Sequence, residues 1–182
     1  MPAVLVVIDV QDGFHDPAWG SSNNPACEEN IRALLSLWRE RGWPVVLVRH
    51  DSVTPGSPLA PGQPGNALQA GIDGAHDLLV SKSVNSAFYG TPSLEEWLRK
   101  HGHTNIVLCG ITTNHCCETT ARMAGNLGFD VEFVLDATRT FDRLGPDGQL
   151  VTADELARAT AASLHGEFAT VRTTTEVLAE NR

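Results

Sequence analysis

Six short runs of branched apolar residues recur along the chain, and they constrain its fold more than any other feature. Continuous apolar runs of this length are typical of β-strands that are buried on both faces, as in a parallel sheet. The runs are AVLVVID (3–9), PVVLVRH (44–50), DLLVSK (77–82), NIVLCG (105–110), VEFVLD (131–136) and FATVRT (168–173). They predict a mainly parallel sheet of about six strands.

Helical patterns lie between these runs. In NIRALLSLWRERG (30–42) the apolar residues share one helical face, and a glycine ends the pattern. Three further patterns are SLEEWLRKHG (93–102), HCCETTARMAGNLG (115–128) and TADELARATAASLHG (152–166). Thr152 and Glu155 have the spacing of a capping box. Alternating strands and helices predict an α/β fold, a three-layer doubly wound domain of the Rossmann-like kind, formed as a single domain by residues 1–182.

Three irregular stretches rich in Gly, Pro, Ser and Asp follow the carboxyl ends of predicted strands. They cover residues 12–25, 51–75 and 137–150. In an open parallel sheet, ligands bind outside those strand ends. The stretch 51–75 is long for a structureless connection, which indicates a lid, a binding loop or a contact between subunits.

Charge and composition argue against several classes of binding partner. The formal net charge is −9 and no cluster of Lys or Arg is visible, so duplex DNA and anionic membranes would be repelled. No stretch approaches the roughly 20 apolar residues that a membrane span needs, and the first apolar run is too short for a signal peptide. We expect a cytoplasmic protein with a small-molecule substrate and four reduced cysteines.

Polar residues at three strand ends form the candidate site. Asp9 closes the first run, Lys82 closes the third, and Cys116 lies in the turn after the fourth. A carboxylate can take the proton of a thiol, and a nearby lysine favours the anionic forms of both groups. If Thr113 or Asn114 caps the next helix, its first turn would further favour a thiolate and an oxyanion. Nucleophile, base and charge partner together are typical of acyl transfer.

Each of these residues also has a structural interpretation. An aspartate at a strand end often closes a turn, a lysine is most often solvated, and a cysteine at a helix start is often a small buried residue. The neighbouring Cys117 shares a helical stripe with Ala121 and Ala124, which is typical of a face packed on a sheet. This pattern favours Cys116 as the nucleophile, and a redox pair lacks the Cys-x-x-Cys spacing.

Three segments in order carry a family resemblance. They are VLVVIDVQDGF (4–14), VSKSVNSAFYGT (80–91) and GITTNHCCETTARMAGNLGFDVEFVLDAT (110–138). Together they resemble the isochorismatase-like cysteine hydrolase family. The resemblance implies that Asp9 is the general base, Lys82 its charge partner and Cys116 the nucleophile. It also implies a cis peptide bond between Ile111 and Thr112, with the amides of Thr112 and Cys116 facing a developing oxyanion.

The resemblance also implies a set of pocket residues, and we expect no cofactor. The pocket residues are Gln11, Phe14, Ser86 and Phe88. Turn hydrogen bonding is the alternative for the polar pair, and core packing is the alternative for the aromatic pair. The metal-dependent nicotinamidase branch has Asp-x-His after the second strand, whereas this chain has His50 and Ser52 there. This departure argues against a metal, and we expect His50 either to contact substrate or to be a structural histidine.

The leading hypothesis is a metal-free amidohydrolase that cleaves a C–N bond of a small amide or ureide through a thioester on Cys116. Vinyl-ether hydrolysis, the reaction that names the superfamily, needs no thiol and is the alternative enzyme. A non-catalytic scaffold that binds a small molecule is the alternative outside enzymes. The resemblance further implies a homo-oligomer, either a dimer or a tetramer.

Overall fold

The computed structural model describes residues 1–181 and is built around a parallel six-stranded sheet. The strands are β1 (Val4–Ile8), β2 (Val45–His50), β3 (Leu78–Lys82), β4 (Asn105–Ile111), β5 (Asp130–Arg139), β6 (Arg143–Leu144), β7 (Leu150–Val151) and β8 (Thr170–Arg172). The order in the main sheet is β3-β2-β1-β4-β5-β8, and every neighbouring pair is parallel. Strands β6 and β7 form a separate antiparallel hairpin.

Helices cover both faces of the sheet. They are α1 (Cys27–Arg41), α2 (Leu94–Lys100), α3 (Glu118–Asn126), α4 (Ala153–Leu164) and α5 (Thr174–Glu180). Helices α1 and α5 pack on one face, and α2, α3 and α4 pack on the other. The predicted three-layer α/β fold is therefore confirmed. Within residues 1–181, no helix combines the length and the apolarity required to cross a bilayer.

The two helical layers explain why the strands are apolar along their whole length. In β1, Val4, Val6 and Ile8 belong to the core under α2–α4, whereas Leu5 and Val7 belong to the core under α1 and α5. All five side chains are buried. A strand with helices on both faces has no solvated side on which a polar residue could alternate.

The segment between β4 and α3 departs from the helix that the sequence predicts over 115–128. Residues Thr113–Cys117 form a π-helical turn, and the α-helix begins only at Glu118. Thr113 and Asn114 do not cap the helix. The Thr113 hydroxyl donates to the Thr138 hydroxyl at 2.8 Å, and the Asn114 side-chain oxygen accepts from the Thr140 hydroxyl at 2.5 Å. These bonds attach the turn to the end of β5 instead.

The other local predictions have mixed outcomes. Thr152 and Glu155 form the predicted capping box at the start of α4. Strand β5 extends into the stretch 137–150, which was expected to be irregular and which also holds most of the β6–β7 hairpin. The sequence interpretation missed α5, although Thr173 and Glu176 form a second capping box there.

The strand order places four polar side chains at one edge. The chain connects outwards from β1 to β3 on one side and from β4 to β8 on the other, so the topology reverses between β1 and β4. Ligand sites of doubly wound sheets lie at the carboxyl side of such a reversal. Asp9 follows β1, His50 ends β2, Lys82 ends β3, and Cys116 follows β4.

Gly110 lies where β4 approaches β1 closely. We expect Gly110→Ala to destabilise the protein far more than Gly128→Ala does. Both glycines have positive φ, +135° and +85° respectively. A Cβ on Gly110 would lie 2.1 Å from the Ile8 carbonyl oxygen, whereas one on Gly128 meets open space. We expect a loss of unfolding free energy of about 1–2 kcal/mol for Gly128→Ala and about 4 kcal/mol or more for Gly110→Ala. Urea denaturation measures both, and equal losses would contradict the close approach.

Candidate active site

A buried ammonium group organises the carboxyl edge of the sheet. The side chains of Lys82 and Asp9 are both fully buried, and the Lys82 Nζ atom lies 2.6 Å from Asp9 Oδ2. It also lies 3.1 Å from His50 Nδ1 and 3.4 Å from Cys116 Sγ. An ammonium group has three donors and no acceptor, so its three protons match these three partners. The structure thus brings Asp9, Lys82 and Cys116 together.

The backbone of Asp9 directs its carboxylate into the site. Asp9 has φ +52°, a left-handed conformation that aspartate tolerates better than most residues. Its amide donates to the Val48 carbonyl at 2.9 Å. Asp9 Oδ1 is buried and has no hydrogen-bond partner among the described residues. A carboxylate oxygen of Asp9 lies within 4.8 Å of the Cys116 sulfur, which places a candidate base beside the thiol.

Burial and the charges of neighbouring groups together set the pKa values in this cluster. Burial raises the pKa of the Asp9 carboxyl, and the Lys82 charge offsets part of that effect. Burial lowers the pKa of Lys82, but the charges of Asp9 and Cys116 and the hydrogen bonds to them together outweigh it, so the pKa of the ammonium is raised overall. Burial, followed by the Asp9 charge, raises the pKa of the Cys116 thiol to about 12. The sequence-based expectation of a stabilised thiolate is therefore wrong for the free protein, because burial outweighs the lysine.

His50 is held in a defined tautomer and orientation. Since the Lys82 ammonium can only donate, His50 Nδ1 accepts, and the proton of the neutral ring is on Nε2. Burial and then the Lys82 charge lower the pKa of His50, so the ring is neutral near pH 7. Gln11 fixes the backbone behind it: its amide nitrogen donates to the His50 carbonyl at 3.0 Å, and its oxygen accepts from the His50 amide at 2.8 Å.

A cavity of about 160 Å³ lies beside the cluster. Asp9, His50 and Cys116 line its inner end. One side is an aromatic wall, with ring centroids 5.1 Å apart for Phe14–Trp19, 5.6 Å for Trp19–Phe141 and 6.1 Å for Phe14–Phe141. The sequence does not assign eight other lining residues to the pocket, namely Trp19, Leu59, Asn85, His115, Thr140, Phe141, Asp142 and Arg143. The segments that hold them were nevertheless recognised, as family motifs or as loops after strand ends.

Three of the five expected substrate contacts lie elsewhere. Phe14 and His50 line the cavity, but Gln11, Ser86 and Phe88 do not. Gln11 is fully buried behind His50. The Ser86 hydroxyl accepts from the Phe88 amide at 3.3 Å, and the Phe88 ring stacks on Phe129 with a centroid distance of 5.9 Å. Turn hydrogen bonding therefore describes Ser86 and core packing describes Phe88, whereas the Gln11 side chain makes long-range hydrogen bonds to the backbone of His50.

The turn that carries the two cysteines separates their environments. Cys117 is fully buried in the core with Ala121 and Ala124, which confirms the predicted packing stripe. Cys116 lines the cavity together with Thr112. The Ile111–Thr112 peptide bond is cis, and the Thr112 carbonyl accepts the amide of Cys117 at 3.1 Å. The sulfur that can meet a ligand is therefore that of Cys116.

The cluster also contains three potential metal ligands. Oxygen, nitrogen and sulfur atoms of Asp9, His50 and Cys116 lie within 4.8 Å of one another. The Lys82 ammonium, however, makes hydrogen bonds to all three residues. A metal ion bound there would have to displace or face this positive charge. Ser52 stands where the nicotinamidase metal motif has its histidine. The Ser52 hydroxyl accepts a hydrogen bond from the Thr54 amide of its own turn. The residues present fit an ammonium-centred site better than a metal site.

Comparison with known proteins identifies the family of the chain. The Isochorismatase domain model matches residues 3–176. The chain belongs to the isochorismatase family. Membership confirms the resemblance and the fold that the three sequence segments indicated, and it identifies the chain as an isochorismatase-family hydrolase.

Individual isochorismatase-family relatives match most of the chain. The uncharacterized family protein YrdC of Bacillus subtilis (strain 168) is 41% identical over 175 residues, which are 96% of this chain and 93% of that protein. Nicotinamidase 3 of Arabidopsis thaliana is 34% identical over 154 residues, 77% of this chain and 74% of the relative. A solved structure of a family protein from Chromobacterium violaceum ATCC 12472 has a TM-score of 0.94 and 40% identity, covering 98% of this chain and 93% of its own.

The raised thiol pKa has a measurable consequence. Because a thiol with a pKa of about 12 is mostly protonated at neutral pH, we expect the alkylation rate of Cys116 by iodoacetamide to rise about tenfold per pH unit between about pH 6.5 and 9.5. Peptide mass spectrometry follows the reaction, and Cys116→Ser identifies the labelled site. A rate that levels off below about pH 8 would mean that the free protein holds a thiolate.

The buried ion pair can be tested through stability. We expect Lys82→Met to cost about 3–5 kcal/mol of unfolding free energy, because it leaves the Asp9 carboxylate buried without its partner. Adding Asp9→Asn removes that charge, and the double variant is expected to recover about half of the loss or more. Lys100, the only other lysine, is exposed, so Lys100→Met is the matched control and should change stability by less than about 0.5 kcal/mol. Additive losses in the urea-unfolding cycle would argue against coupling.

Proposed function

We propose that this isochorismatase-family hydrolase is a metal-free cysteine amidohydrolase that cleaves a C–N bond of a small amide or ureide. One observation carries the proposal: beside one cavity lie a thiol, a carboxylate oxygen that has no hydrogen-bond partner within residues 1–181, and a buried ammonium that bonds to both residues. Nicotinamidase 3, by its name, acts on an amide, so amide hydrolysis occurs among the relatives of the chain. A vinyl-ether hydrolase would have no use for the sulfur in this place.

Acylation begins with a protonated thiol. Cys116 Sγ attacks the carbonyl carbon of the substrate while Asp9 accepts the thiol proton. The Lys82 ammonium, 3.4 Å from the sulfur, stabilises negative charge as it develops and lowers the cost of ionising a buried thiol. Backbone amides of Thr112 and Cys116 stabilise the tetrahedral oxyanion. Asp9 then passes the proton to the leaving nitrogen, the C–N bond breaks, and an acyl thioester remains on sulfur.

Deacylation reverses the proton path. A water molecule attacks the thioester carbonyl, Asp9 accepts a proton from this water, and the C–S bond breaks. Asp9 returns the proton to the sulfur, which restores the thiol and releases the carboxylic acid. Lys82 keeps its proton because it faces a negative charge on Asp9 or one that develops at the sulfur, and the charges of both groups raise its pKa. The His50 Nε2–H group, at the cavity, is the donor for a polar atom of the substrate.

Intact-mass trapping tests the nucleophile and the reaction class together. We expect the wild-type protein, incubated with a mixed panel of small amides and ureides, to release amine and to carry an acyl adduct on Cys116. Cys116→Ser and Asp9→Asn should lower turnover by about 10³-fold or more, since each removes one member of a unit that acts together. Lys100→Met is the control for an unrelated charge.

Three results would overturn the proposal in different ways. Undiminished amide turnover by Cys116→Ala would exclude a thioester. Equal consumption of isochorismate by the wild type and Cys116→Ala would favour the vinyl-ether reaction. Failure of every substrate, with Cys116 inert to thiol reagents at high pH, would favour the non-catalytic scaffold.

A further inference from the structure

Arg143 is a charged cavity residue that the proposed chemistry does not use. Two carboxylates and one guanidinium line the cavity, those of Asp9, Asp142 and Arg143. Asp9 pairs with Lys82. The Asp142 carboxylate accepts from the Ala153 amide at 2.7 Å, at the amino end of α4, where the helix dipole favours a negative charge. Within residues 1–181, Arg143 takes part in none of the ion pairs. Both carboxylates thus have partners in the protein, whereas the guanidinium is available to pair with a ligand.

Arg143 and the nucleophile line the same cavity. Arg143 is the exposed first residue of the β6–β7 hairpin. His115, which directly precedes Cys116 in the turn, also lines this cavity. Burial, followed by the charge of Arg143, lowers the pKa of His115. A group bound to Arg143 would thus lie in the cavity that the reacting sulfur lines.

The remaining walls limit the body of the ligand. The aromatic wall of Phe14, Trp19 and Phe141 and the buried side chain of Leu59 give one side an apolar surface. The cavity volume of about 160 Å³ is below the roughly 300–1,000 Å³ of pockets for drug-sized ligands. A fitting ligand therefore has a short apolar or planar body and a polar group at each end.

We propose that the substrate is a small amide or ureide that carries a carboxylate, and that Arg143 binds this carboxylate. The inference rests on the cysteine amidohydrolase function proposed above and names its substrate class. A guanidinium pairs with a carboxylate through two parallel hydrogen bonds, which orient as well as attract. The amide end then faces Cys116, and the body of the substrate packs on the aromatic wall. Since the protein carries a net charge of −9, Arg143 supplies an attraction for anions that most of its surface lacks.

Binding to a variant without the nucleophile tests this assignment directly. The probes are 3-carbamoylbenzoate and 3-methylbenzamide, which share a ring and a primary amide and differ in the charged group. We expect Cys116→Ala to bind the carboxylate probe at least tenfold more tightly in isothermal titration calorimetry, with an affinity that falls as salt is added. Adding Arg143→Ala should abolish the preference, and Arg143→Lys should keep part of it. Arg158→Ala, which removes an exposed arginine of α4 away from the cavity, should leave the preference unchanged.

Each other outcome has a defined meaning. Three outcomes would overturn the assignment. They are equal affinity for the two probes, a preference that survives Arg143→Ala, and no binding of either probe. If the wild type hydrolyses neutral amides as fast as carboxylated ones and forms the Cys116 adduct, the proposed function stands and the substrate class falls. If binding of the carboxylate depends on Arg143 but no amide is hydrolysed and no adduct forms, the anion site stands and the proposed function falls.

Discussion

The ammonium group of Lys82 is the constraint on which the site depends. It is buried, so it cannot be hydrated, and it needs acceptors from the protein. Asp9, His50 and Cys116 supply them from the ends of β1 and β2 and from the turn after β4. One cation on β3 therefore fixes the positions of three further segments. The same bonds set the tautomer of the histidine and the environment of the sulfur, so structure and chemistry depend on one group.

Much of this arrangement could be predicted from the sequence because it follows from the sheet. Strands covered by helices on both faces are apolar throughout, which makes them visible as runs such as Val4–Ile8. A polar residue that ends such a run must lie at the edge of the sheet. In a parallel sheet all carboxyl ends share one edge, and Asp9, Lys82 and Cys116 therefore converge. The family motifs point to the same three residues.

The predictions failed where the outcome depends on partners distant in the sequence. Gln11 matched a pocket position, but its side chain bonds to His50, 39 residues away. Thr113 looked like a helix cap, but its hydroxyl bonds to Thr138 across the gap to β5. The predicted thiolate at Cys116 is wrong because the sequence indicates a lysine at the same sheet edge but does not show how deeply the thiol is buried. Local patterns contain no information on these competing partners.

The β6–β7 hairpin is structurally separate from the elements that hold the Lys82 cluster. It pairs with no strand of the main sheet, whereas Asp9, His50, Lys82 and Cys116 are held by β1, β2, β3 and the turn after β4. Residues of the hairpin can therefore be exchanged over evolution or by design without disturbing these four side chains. A scaffold of this kind can acquire new substrates by remodelling a peripheral segment, which gives one physical reason why a single fold can serve hydrolases of differing specificity.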